Sequence, residues 1–231
     1  MRCVLNENVA LRSWKLVPYA YYVRGYQYAQ KLSREQFELL SQCDGRREMD
    51  KTPLLGQLER AGFVREAQEG ETWSEWSKPR RCDNRYFPSL NWAVTGKCNF
   101  NCKHCFMAAD KAPMMGEFSW EECVAFLDEC ESCGIQSVTL TGGEPMLHPR
   151  FRDIVREIYR RGMCLTELNT NGSFLTADFL DELKRLDMDT EIKISFDGIG
   201  HHDWLRGVPH AEEKALKADI KKAVEEVNSV R

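Results

Sequence analysis

CNFNCKHCF, residues 98–106, sets three thiols at positions 98, 102 and 105 in a short polar run that ends on an aromatic side chain. A structural zinc site wants four ligands, usually as two C-x2-C pairs, and His104 sits between two of the thiols, too close to be an easy fourth. Three thiolates at x3 and x2 spacing suit a cubane 4Fe-4S cluster in which one iron lacks a protein ligand and stays open for chemistry. A zinc knuckle, or a chance grouping, is the competing reading of the spacing alone.

The surroundings of this run narrow the choice. From Leu90 onward strands alternate with helices: LNWAVTG reads as a strand, and Ser119 with Glu122 opens a helix on Trp120, Val124, Phe126 and Leu127 that ends at Gly134. SVTLT (137–141) is a second strand, FRDIVREIYRRG an amphipathic helix, CLTELN a third strand, a third helix carries Phe179, Leu180 and Leu183, and EIKISF is a fourth strand. A charged fourth helix is expected from about Glu212 to Val227. Repeated βα units imply a parallel sheet with functional groups at the C-terminal ends of its strands. The three cysteines, Gly142-Gly143-Glu144-Pro145, Asn169-Thr170-Asn171-Gly172 and Asp197-Gly198 all follow strands, so four separate stretches converge on one rim.

C-x3-C-x2-C after the first strand, GGEP after the second, then TNG (170–172), SFDG (195–198) and HHDWLRG resemble the radical S-adenosylmethionine (SAM) superfamily, and in particular its peptide-modifying, SPASM-type branch. The resemblance implies a partial (β/α) barrel of about four βα units, in which Cys98, Cys102 and Cys105 ligate the 4Fe-4S cluster and SAM chelates the open iron. It further implies that Gly142, Gly143 and Glu144 meet the methionine end of SAM, Ser195 and Asp197 the ribose hydroxyls, Arg206 the SAM carboxylate, and that His104 borders the adenine. The implied chemistry is reductive cleavage of SAM to a 5′-deoxyadenosyl radical that abstracts a substrate hydrogen. No side chain is assigned as a catalytic acid or base. Flavodoxin or ferredoxin is the implied electron donor, and a ribosomally made precursor peptide or protein the implied substrate. A family member generally has six βα units, whereas Leu90 to Arg231 holds four; the chain is expected to be the N-terminal part of such a barrel, as a truncation or as one piece of a split enzyme, the alternative being a non-catalytic iron–sulfur or peptide-binding protein with an incomplete barrel.

Residues 1–75 have a different grammar. Short runs rich in β-branched and aromatic residues (VALRSW, YAYYVRG) read as one or two strands with a turn near Pro18. Ser33 and Gln36 form a capping-box signature for a helix closed by Gly45, and a second helix starts at Thr52-Pro53 and stops at Gly62 before a strand, GFVREA. We read a small α+β, winged-helix-like module. Lys and Arg number eleven over residues 1–75 and so do Asp and Glu, which argues against nucleic acid and favours a peptide partner added to a sheet edge. Residues 76–89 read as the linker to the barrel portion at 90–231, and Trp73 and Trp76 are expected to pack that region against a neighbouring surface.

The remaining observations bound the setting. A composition of 42% hydrophobic and 29% charged residues with net charge −4 is that of an ordinary globular chain. The N-terminus has no apolar core of a signal peptide and no apolar run approaches the ~18 residues of a membrane span, so a cytoplasmic protein with reduced thiols is expected, without a membrane partner. Cys130 and Cys133 read as ordinary semi-buried thiols; Cys82 and the His201, His202, Asp203 group are weaker ligand candidates.

Overall fold

The computed structural model describes residues 1–26, 28–107 and 116–215. The chain forms two compact units: Met1–Pro88 with Asp128–Gln136 and Arg161–Met163, and Ser89–Leu127 with Ser137–Arg160 and the residues from Cys164 onward.

The first unit runs β1 (Arg2–Leu5), β2 (Val9–Ser13), β3 (Ala20–Val23), β4 (Gln30–Lys31), α1 (Arg34–Leu40), β5 (Asp44–Glu48), α2 (Pro53–Arg60), β6 (Val64–Glu66) and β7 (Arg80–Arg81). An antiparallel sheet in the order β5-β1-β6 packs Cys3 and Leu5 against Phe37 and Leu40 of α1 and Leu55 and Leu58 of α2. A second sheet, β4-β3-β2-β7, was not foreseen in full; residues 2–23 hold three strands rather than one or two, and Arg80–Arg81, inside the stretch read as linker, pair with β2. Trp76 is buried in a cluster with Trp14 and Tyr22, and Trp73 donates its indole N–H to Cys43 O at 2.7 Å.

Both helices of this unit begin as their caps dictate. Ser33 accepts from Gln36 N–H at 3.1 Å while Gln36 Oε1 accepts from Ser33 N–H at 2.9 Å, and Thr52 accepts from Leu55 N–H ahead of Pro53. Ser33→Ala should therefore lower stability by about 1 kcal/mol in chemical denaturation, whereas a change below a few tenths would show the cap to be idle. Gly45 does not close α1. The helix ends at Ser41, and Gly45 lies in β5 at φ +77°, where a Cβ would stand 2.2 Å from Glu71 O. The glycine marks a close approach of two backbones, a need that reads in sequence like a helix stop.

Arg12 of β2 is 1% exposed, and its guanidinium donates to the carbonyls of Leu11, Trp76 and Lys78 at 2.8–2.9 Å. A charge buried this deeply is tolerated because three carbonyls take its protons, and it fixes the course of residues 76–78. Nearer the surface, Arg65 pairs with Glu71 and pulls its pKa from 4.5 to about 2. A depressed carboxylate pKa adds stability above the unfolded value, and this contribution disappears as pH falls from 4.5 towards 2.

The second unit is built on β8 (Ser89–Thr95), the greater part of α3 (Trp120–Ser132, which from Asp128 onward belongs to the first unit), β9 (Ser137–Gly142), a 3-10 turn (Pro145–Leu147), α4 (Phe151–Arg160), β10 (Cys164–Thr170), α5 (Ala177–Arg185), β11 (Glu191–Ile194), α6 (His202–Arg206) and α7 (Ala211–Ala215). The four strands are parallel and ordered β11-β10-β9-β8, the α/β architecture and partial barrel expected. Alternation places Val138 and Leu140 of β9 in the core, and a register irregularity between Leu165 and Glu167 brings both Leu165 and Leu168 of β10 there, with Ile154, Val155 and Ile158 of α4 and Phe179 of α5. The polar face carries Asn169 and Lys193, both bound to Glu167. The capping box of α3 forms, with Ser119 N–H to Glu122 at 2.7 Å. HDWLR forms the short helix α6. Of the expected fourth helix, α7 covers the start, and the part beyond residue 215 lies outside the described residues. Among the described residues no helix is long and apolar enough to cross a membrane.

Candidate functional site

Strand β8 delivers the chain at Thr95 to the cysteine loop. Phe100, 3% exposed, anchors the loop in the core, while Cys98, Cys102 and Cys105 are half-buried and none is in a disulfide. Donors converge on the sulfurs: Phe100 N–H reaches Cys98 Sγ at 3.4 Å, Asn171 Nδ2 reaches it at 4.0 Å, and Arg206 Nη1 reaches Cys102 Sγ at 3.8 Å. Burial raises the Cys98 thiol pKa, so binding as a thiolate would have to displace that proton. A set of three thiols without carboxylates, with N–H groups aimed at two of them, suits thiolates on an iron–sulfur cluster. Among the described residues no three His, Cys, Asp or Glu side chains gather as a single-ion site would require; cubane ligands bind separate irons.

The GGEP stretch is tied to this loop by main chain. Gly143 N–H donates to Thr95 O at 2.9 Å and Glu144 N–H to Lys97 O at 2.8 Å. A Cβ on Gly142, at φ +140°, would stand 2.3 Å from Thr95 O, and one on Gly143 would stand 2.2 Å from Lys97 O. In the structure these glycines make room for the protein's own backbone.

Glu144 likewise turns inward. It is fully buried, and its carboxylate accepts from Met146 N–H at 3.2 Å, Thr170 Oγ1 at 2.8 Å and Asn171 N–H at 2.8 Å. Three of its roughly four acceptor positions are therefore filled by protein. Burial raises its pKa against those hydrogen bonds. Through Asn171, whose Nδ2 also reaches Asn99 Oδ1 at 2.8 Å, this carboxylate braces the ends of β9 and β10 against the cysteine loop. The sequence marks Asn171 only as a rim residue, and Thr170 carries no signal beyond its place in TNG.

After β11, Ser195 is half-buried and its N–H is held by Thr170 O at 3.0 Å. Asp197 is paired with Arg206, Nε to Oδ2 at 2.6 Å and Nη2 to Oδ1 at 3.1 Å. The guanidinium expected on the SAM carboxylate is thus shared between Asp197 and Cys102, and the Asp197 carboxylate expected on the ribose is held by arginine. His104, about half exposed, approaches Asp197 at 3.9 Å. His202 is fully buried with Nδ1 accepting from Asp197 N–H at 3.1 Å, while Asp203 accepts from the N–H groups of His210 and Glu212 at 2.7 Å. Those two side chains serve local folding instead of gathering a metal.

The remaining thiols behave as packing groups. Burial pushes Cys43 and Cys130 up to about 12, and Cys82 is raised by the same cause. Brief iodoacetamide treatment of the folded, iron-free protein at pH 8 should alkylate Cys102 and Cys105 and spare Cys43 and Cys130, as read by peptide mass spectrometry. Equal labelling of Cys130 and Cys105 would contradict this assignment.

Comparison with known proteins gives the same picture. The sequence profile of the radical SAM superfamily matches residues 92–228. The AdoMet-dependent heme synthase of Methanosarcina barkeri is 35% identical over 129 residues, 55% of this chain and 36% of that protein. The AdoMet-dependent heme synthase of Nitratidesulfovibrio vulgaris is 33% identical over 131 residues, 55% and 35% of the two chains. In fold, the crystal structure of Streptococcus suis SuiB matches with a TM-score of 0.57 at 15% identity, over 98% of this chain and 53% of that one; its complex with S-adenosylmethionine matches with a TM-score of 0.56. The chain spans about a third of the length of the curated relatives it matches and about half of that structural neighbour. With the cysteine loop, the GGEP turn and the parallel sheet that presents them, the profile over residues 92–228 establishes that the chain belongs to the radical SAM superfamily.

Proposed function

We propose that this chain is the SAM-cleaving portion of a radical SAM enzyme whose substrate is a ribosomally made peptide or protein. One observation carries the enzymatic reading: the three thiols sit at the C-terminal end of β8, braced by Glu144 and Asn171 and approached by N–H donors at Cys98 and Cys102. A 4Fe-4S cluster and SAM, when bound, supply reductive cleavage of the sulfonium and a 5′-deoxyadenosyl radical. The protein's own part is positional. Cys98, Cys102 and Cys105 would hold the cluster, Arg206 donates towards Cys102 Sγ and Asn171 towards Cys98 Sγ, and His104, Ser195 and Asp197 would face the nucleoside from the rim.

The peptide reading rests on the first unit. Its winged-helix-like set of strands and helices ends one sheet in β4, whose residues Gln30 and Lys31 are both exposed, leaving an edge to which an extended chain can add a strand. A tetrapyrrole substrate is the second reading, favoured by relatives named for heme synthesis. We place the protein in the cytoplasm, where its ten free cysteines stay reduced and a flavodoxin or ferredoxin supplies electrons.

The test is anaerobic incubation of the reconstituted protein with dithionite and SAM, with 5′-deoxyadenosine measured by chromatography, beside fluorescence anisotropy of labelled small peptides encoded near the gene. Nucleoside release with peptide binding supports the proposal. Release without binding of any such peptide, but stimulated by a porphyrin, moves the substrate to the second reading. No release from a fully loaded protein would leave a non-catalytic iron–sulfur protein.

A further inference from the structure

We propose that α6 is the clamp of the cysteine loop and that Arg206, through the Cys102 sulfur, is a positioning residue that raises the electron affinity of the cluster. This rests on the reading of the loop as a cluster site. HHDWLRG carries no strong helical pattern, yet it forms a helix whose C-terminal end grips the loop between the first and third cysteines.

Three kinds of contact make the grip. Asn101 N–H donates to Arg206 O at 3.0 Å and Lys103 N–H to Leu205 O at 2.8 Å, so the last carbonyls of α6, which a helix leaves without internal partners, are satisfied by the loop. Gly207 ends the helix at φ +68°, and a Cβ there would stand 2.1 Å from Asn101 O. The Lys103 ammonium lies 4.5 Å from the centre of the Trp204 ring, a cation–π contact from the same loop residue. The loop is therefore bound to α6 by backbone on both sides of Cys102.

The side chain of Arg206 then completes the contact. Its Nη1 reaches Cys102 Sγ at 3.8 Å, while Nε and Nη2 are held by the two oxygens of Asp197 at 2.6 and 3.1 Å. Asp197 is itself fixed through its N–H by the fully buried His202. The guanidinium is held here by one hydrogen bond, Nη2 to Asp197 Oδ1, and by the ion-pair contact of Nε with Oδ2. A fixed positive charge and N–H group beside a ligand sulfur stabilise the extra negative charge that the cluster takes on when reduced. The reduction potential is thereby raised, and the neutralising carboxylate stands on the side of the guanidinium occupied by Nε and Nη2.

The experiment uses the full chain, anaerobically reconstituted, without SAM. Iron and sulfide per chain are measured first; if the unaltered protein binds neither, the cluster reading fails independently of this proposal. Arg206→Met is expected to load iron but to show a more negative midpoint in an EPR-monitored redox titration. Arg206→Lys, which keeps the charge, should recover part of the shift. Gly207→Ala is expected to lower the bound iron and sulfide, because its Cβ meets the Asn101 carbonyl. If Arg206→Met binds SAM more weakly with an unchanged midpoint in its absence, Arg206 serves only the SAM carboxylate and the tuning role is overturned. Should Arg206→Met fail to load, Arg206→Lys decides: a midpoint displaced little from the unaltered protein supports the charge effect, and one displaced far from it overturns it. Full loading of Gly207→Ala overturns the clamp.

Discussion

Glu144→Ala is expected to destabilise the protein by about 3–5 kcal/mol. The substitution strands three buried donors, the N–H groups of Met146 and Asn171 and the hydroxyl of Thr170, each of which costs about 1–3 kcal/mol when left unsatisfied. Water entering the vacated space recovers part of this, as does release from burying a carboxylate. Glu144→Gln should cost less, about 1–3 kcal/mol, because the amide oxygen keeps Met146 and Thr170 while its NH2 faces the Asn171 N–H. The pH dependence carries a sign. Burial raises the pKa above 4.5, so the Glu144 contribution is fully present below that value and falls as pH rises through the folded pKa. The unaltered protein should therefore lose its advantage over Glu144→Gln as pH rises. Urea unfolding reads all of these differences, and a Glu144→Ala protein within about 1 kcal/mol of the unaltered one would refute the bracing role.

Replacing any one of Cys98, Cys102 and Cys105 by alanine is expected to abolish stable cluster binding, whereas Cys130→Ala and Cys133→Ala should retain iron and the visible absorption of the cluster. The asymmetry follows from position. The first three occupy one loop at the end of a strand with N–H donors aimed at two of their sulfurs. Cys130 and Cys133 lie at the end of α3, where burial holds the Cys130 thiol near a pKa of 12 and thus protonated. Iron and sulfide determination after anaerobic reconstitution checks the prediction. Retention of a full cluster by Cys102→Ala would remove the basis for the site.

The long periodic elements were legible because their signals are redundant. Helix α4 repeats Phe151, Ile154, Val155 and Ile158 on one face, and the capping pairs Ser33–Gln36 and Ser119–Glu122 mark starts that the structure reproduces to the residue. The rim was legible as a place, since four strand ends in a parallel sheet share one side. The partners within it were not. Glycine has one appearance in sequence for several needs: Gly45 reads as a helix stop and serves a close backbone approach, and Gly142 and Gly143 read as ligand contacts and face the carbonyls of Thr95 and Lys97. The pairing of Asp197 with Arg206 and of Glu144 with Thr170 and Asn171 joins groups 9 to 27 residues apart, which no local pattern encodes. Helix α6 has five residues, too few for a period to show. The two-residue strands β4 and β7 are set by their neighbours in the sheet instead of by their own composition.

The most direct test of the central claim is electron paramagnetic resonance of the anaerobically reconstituted, dithionite-reduced protein, recorded with and without SAM. A reduced 4Fe-4S signal whose line shape changes when SAM is added is expected, because the iron without a cysteine ligand would take the cofactor. A signal identical in the two samples, or no reduced-cluster signal from protein that has bound its full iron, would contradict it.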